Sequence, residues 1–178
     1  KTNLGVVKVP DPRVEALGDL YSTRKRTLAE ITFSDVAAGV AGAQGLDRNV
    51  LNAMREVDAL CQVVRAFEDP SLPEPPNPLR EIADLEVEMI LADLELVERR
   101  LERLRKEKSK PREEATLARI KGHLEASRPL RSLDLPEEEW APFSGFRFLS
   151  LKPLLLVLNV EEEALAAPPP PDVAQHAR

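Results

Sequence analysis

The chain has 178 residues, 43 % apolar and 31 % charged, with a net charge of −6; that is enough apolar content for a core and no global positive excess to draw in nucleic acid or an anionic membrane. Its longest apolar run, residues 154–158, is far too short to cross a bilayer, and a single cysteine, Cys61, excludes an intramolecular disulfide. With no signal peptide in view, these features fit a reducing, cytoplasmic setting.

Residues 4–9 read as a first strand, closed by Pro10-Asp11-Pro12, and residues 14–21 as a helix. A second strand is expected over 28–33, a helix over 48–57 and a third strand over 59–67. Residues 69–78 then hold five of the 16 prolines and cannot be helix or central strand. The strongest periodicity follows. Ala83, Val87, Ile90, Leu94, Val97, Leu101 and Leu104 form a heptad seam, while Ile82, Leu85, Met89, Ala92 and Leu96 form a second stripe over the first half only. This predicts a helix docked on the domain at its start and projecting as an arm at its end. Ser109-Lys110-Pro111 breaks it, and residues 112–126 supply a second helix, so residues 79–130 read as an antiparallel hairpin. Residues 131–144 return to a fourth strand at 154–158, and the chain ends in prolines 168–171 and a polar tail. Strand–helix alternation predicts an α/β fold with a mostly parallel sheet, and the nearly continuous apolar third and fourth strands predict burial on both faces.

In such a sheet, ligands bind beyond the carboxyl ends of the strands, which singles out Asp35 and Asn159. A strand-end aspartate can hold Mg²⁺ directly or through water, and an asparagine amide both donates to and accepts from a purine edge. Both residue types are also common turn formers. His123 and His176 read as surface residues and Cys61 as inert core, so no catalytic residue is identified. Residues 99–112 carry eight Lys/Arg, among them Arg99, Arg100, Arg103, Arg105, Lys106 and Lys108, against two Glu. A positive arm on an acidic body can orient binding to RNA phosphate, or can be a solvated helical face. No aromatic residue interleaves with these charges, so base stacking is not expected.

Several ordered segments resemble the YchF/Obg-like family of P-loop ATPases and GTPases. Residues 3–13 (NLGVVKVPDPR) are similar to the segment after switch I, 55–60 (REVDAL) and 63–69 (VVRAFED) to the switch II helix and next strand, and 88–103 (EMILADLELVERRLER) to the coiled-coil helix; 131–135 (RSLDL) and Lys152-Pro153 also agree. The resemblance spans about residues 3–163. It implies a P-loop domain made from residues 1–68 and 145–178, interrupted by the 69–78 linker and the hairpin. It also implies ATP or GTP bound with Mg²⁺, hydrolysis in the parent protein, and association with ribosomes. Asn159, Val160 and Glu162 then match the family's NxxE base-recognition motif. Asp35 to Gly39 match the DxxG switch motif, with Asp35 directed to Mg²⁺, Ala38 in the glycine's place and Gly39 one residue late.

The departures matter as much. No GxxxxGKS/T occurs, so the phosphate-binding loop and the first strand are expected upstream of residue 1, with a gap in the sheet and no hydrolysis by these residues alone. The glycine-rich loop is shortened to residues 42–46, and the 69–78 loop lacks the family's histidine. The competing reading is a degenerate, non-hydrolysing interaction module that uses the basic arm to bind the ribosome, RNA or a protein; the seam would also allow two chains to pair.

Overall fold

The computed structural model describes residues 3–36, 45–106 and 111–176. The chain divides into two units, Lys1–Gly39 and Val40–Arg178.

In the first unit, β1 (Asn3–Lys8) and β2 (Glu30–Asp35) pair antiparallel, with Asn3 opposite Asp35 and Lys8 opposite Glu30. Between them lies α1 (Pro12–Leu20), started by Asp11, whose carboxylate accepts the Arg13 amide at 2.9 Å, and by Pro12 in the first turn. Leu4, Val6, Ile31 and Phe33 are exposed on this pair.

The second unit runs α2 (Arg48–Glu56), β3 (Leu60–Arg65), α3 (Pro78–Lys106), α4 (Pro111–Glu125), α5 (Glu137–Trp140), β4 (Leu154–Asn159) and α6 (Pro171–His176). Asp47 caps α2 through the Asn49 amide at 2.7 Å, and Asn77 caps α3 through the Arg80 amide at 3.2 Å, one residue before a proline. β3 and β4 pair in parallel, from Leu60 opposite Leu154 to Arg65 opposite Asn159. The long excursion through α3–α5 permits this, since parallel neighbours need a crossover. Where a mostly parallel sheet with a gap was expected, the described residues form two two-stranded sheets, the first antiparallel and the second parallel.

α3 presents two stripes, as its sequence predicts. Ile90, Val97 and Leu104 pack with Leu117, Ile120 and Leu124 of α4, together with Leu130, Phe143 and Phe148. Met89 packs with Leu60 and Leu149, and Ile82 with Val64 and Val173. The seam's first two members, Ala83 and Val87, are exposed. The reason is length: at about 1.5 Å per residue, the 15-residue α4 covers only half of the 29-residue α3.

Three expectations are corrected. β3 and β4 are covered on one face only; Cys61, Val63, Leu155 and Val157 on the other face are exposed, so Cys61 is not core. His123 is buried rather than superficial. The polar tail forms α6, which seats Val173 in the core. No described helix is long and apolar enough to cross a membrane.

Candidate functional site

Because β3 and β4 run in parallel, both end at the same edge, where Asn159 stands beside Arg65. The Asn159 carbonyl accepts the Ala66 amide at 2.8 Å, which fixes the backbone there. The Asn159 side chain is exposed and makes no hydrogen bond among the described residues. Val160 is half-buried, and the chain then enters a 3₁₀ turn at Glu162–Ala164 with the Glu161, Glu162 and Glu163 carboxylates exposed. Arg65 is already engaged, donating to the Glu74 carbonyl at 2.8 Å and thereby tying the proline-rich segment to the strand end. Asn159, Val160 and Glu162 are thus adjacent on one edge, with an unspent amide and unspent carboxylates.

Asp35 closes β2 in the other unit, exposed, with the Asn3 amide at 3.4 Å. Among the described residues no group of three or more His, Cys, Asp or Glu could hold a metal ion. Ala38, Gly39 and Lys108 lie outside the described residues. Of the shortened glycine loop, Gly45 has a left-handed φ of +73°, and a Cβ there would fall 2.9 Å from the Glu88 carboxylate, which accepts the Leu46 amide at 3.2 Å.

On the arm, Arg99 pairs with Glu95, and Arg100 with Glu113 at 2.6 Å in a partly buried contact between α3 and α4. Arg103, Arg105 and Lys106 are exposed and form no ion pair among the described residues.

A site that sequence reasoning did not identify lies midway along α3. Asp93 is fully buried and accepts the Leu149 amide at 2.9 Å, the Ser150 amide at 2.8 Å and the Ser150 hydroxyl at 2.8 Å. Burial raises its pKa, opposed by those three hydrogen bonds and by the charge of Arg55. Ser150 in turn accepts the Leu130 and Arg131 amides, and Arg131 pairs with Glu86 of α3. The ring nitrogen Nε2 of His123 sits 3.1 Å from the Pro129 carbonyl and 2.9 Å from the Ser132 hydroxyl, fastening the end of α4 to the same segment. The signal was present in the sequence: Asp93 falls four residues from both Met89 and Val97, on an otherwise apolar stripe.

No protein-family model matches the chain. Among curated proteins it is 36 % identical over 177 residues to the "Ribosome-binding ATPase YchF" of Bacillus subtilis, a match covering 93 % of this chain and 48 % of that protein. It is 35 % identical over 172 residues to the protein of the same name from Escherichia coli O157:H7, covering 90 % of this chain and 47 % of that one. Among solved structures it matches the Schizosaccharomyces pombe YchF GTPase with a TM-score of 0.76 at 30 % identity, over 90 % of this chain and 47 % of that chain. The chain thus spans about half the length of the relatives it matches, and over that span it is similar to proteins of the YchF family.

Proposed function

We propose that this chain supplies the base-recognition edge and the helical arm of a cytoplasmic, nucleotide-binding protein that hydrolyses ATP or GTP with Mg²⁺ and associates with the ribosome. The observation that carries this reading is the β4 edge, where the exposed Asn159 amide, without a hydrogen bond among the described residues, stands beside Val160 and Glu162 at the carboxyl end of a parallel pair. Residues 1–68 and 145–178 form the P-loop portion, and 79–130 a coiled-coil hairpin inserted into it. Asn159 contacts the purine, Glu162 lines the base pocket, and the switch runs from Asp35 through Ala38 and Gly39. Mg²⁺, when bound, would neutralise charge on the phosphates. Asp35 fits as one carboxylate ligand, the mode in which Mg²⁺ is shared between a protein oxygen and phosphate oxygens.

The test uses a polypeptide that joins a GxxxxGKS/T segment ahead of residue 1. Asn159→Ala is expected to weaken ATP or GTP by about tenfold in calorimetry, equivalent to about 1.4 kcal/mol. Unchanged affinity for both nucleotides overturns the base role. In the same titration the 178 residues alone bind neither nucleotide.

The arm supports a second reading, an interaction module without hydrolysis, because Arg103, Arg105 and Lys106 are exposed and unpaired among the described residues. Together with Arg99, Arg100 and Lys108 they would meet RNA phosphate. Changing Arg103, Arg105 and Lys106 to Glu should abolish ribosome co-sedimentation at low salt. Retention of the wild-type level removes the arm as the contact.

A further inference from the structure

Apart from the β4 edge, the second unit contains an open cleft of about 540 Å³ between the end of α2 and residues 137–152. We propose that it binds a small anion carrying an aromatic body, an aryl phosphate or aryl carboxylate. The proposal does not rest on the nucleotide reading.

One wall is aromatic. Half-buried Trp140 meets Phe148 edge-on with ring centroids 6.3 Å apart, and Phe143 and Phe148 are buried behind it, so Trp140 supplies the exposed aromatic surface of that wall. The charges withdrawn from water beside that wall are both positive. Lys152 donates to the carbonyls of Val57 and of Arg55, the latter at 2.9 Å, and so caps the end of α2 with one N–H to spare. Arg55 donates from Nη2 to the Ala92 carbonyl at 3.3 Å, but its Nη1 is buried and has no hydrogen-bond partner among the described residues. A buried donor without a partner is costly, and it leaves the charge of Arg55, which lines the cleft, short of an acceptor among the described residues. Asp93 feels the field of Arg55 but is committed to Leu149 and Ser150.

Around these lie exposed charges of both signs. Arg147, in a left-handed conformation with φ of 49°, pairs with Glu56 at 3.0 Å, with side chains 53 % and 74 % exposed. Such a solvated pair exchanges readily for another anion. Asp58 and Glu137 also line the cleft and are exposed, where water screens them. The Lys152 ammonium is pushed below its ordinary pKa by burial first and by the charges of Arg147 and Arg55, with Asp58 and Glu56 opposing.

Trp140 is the only tryptophan of the chain, so its fluorescence reports the cleft alone. Phenyl phosphate titrated into the 178-residue protein should give a saturable change in Trp140 emission, with inorganic phosphate weaker and benzyl alcohol silent. Phenylacetate run alongside shows whether phosphate or carboxylate is preferred, the tighter of the two naming the class. Arg147→Gln alters only an exposed pair and should weaken phenyl phosphate by about tenfold, with an unchanged far-ultraviolet spectrum. The absence of a saturable change, equal response to benzyl alcohol, or wild-type affinity in Arg147→Gln overturns the proposal.

Discussion

A single buried carboxylate, Asp93, fastens the middle of α3 to the turn that leads into β4. Asp93→Ala leaves two amides and a hydroxyl without their acceptor inside the protein, and at about 1–3 kcal/mol per orphaned group urea unfolding should show a loss of about 3 kcal/mol or more. Asp93→Asn keeps one acceptor and turns its NH₂ toward the Ser150 donors, so it should also destabilise. Because the folded-state pKa is raised above the unfolded value of about 3.9, Asp93 contributes stability that is fully present below that value and lost as pH rises through the higher folded one. That decline should be absent in Asp93→Asn, as stability curves at several pH values would show. Asp93 stands as a polar intruder on an apolar stripe, a signal the sequence reading passed over, and its partners, 56 and 57 residues away, left no signal at all. Hydrogen-bond pairing across that separation leaves no periodicity to read. Asn159 was legible from its place at the end of an apolar run.

At the scale of elements, α3 and α4 were the clearest features of the sequence and the structure gives both within a residue or two of the expected bounds. The strands were also legible, but not their partners: alternation and apolar runs mark a strand, whereas pairing depends on connections whose irregular parts, such as residues 21–29, carry no periodicity. The heptad seam was read as one continuous stripe, yet it is buried only where α4 lies beside it. Ile120→Ala, which empties a fully buried position facing α3, should cost about 2–5 kcal/mol. Val87→Ala, on the same seam but 47 % exposed, should change stability by no more than about 0.5 kcal/mol. Comparable losses in thermal unfolding of the two variants would mean that α4 covers the whole of α3.

Across the whole molecule, composition gave a core but not its distribution. The apolar residues of β3 and β4 were read as doubly covered, while α3 and α6 cover one face and leave the other open. A sequence pattern records that a strand is apolar on both sides; it does not record whether the second layer is present. Cys61 lies on that open face, beside Leu155 in the register, and is the chain's single thiol. The protein therefore carries its own stoichiometric label for the state of that surface. A maleimide should add one mass increment under native conditions at a rate close to that of a free thiol. Any layer that comes to lie on the sheet should slow the reaction in proportion to the time it stays closed. The rate constant measured at increasing concentrations of a candidate covering segment would yield its opening equilibrium without a mutation or a dye.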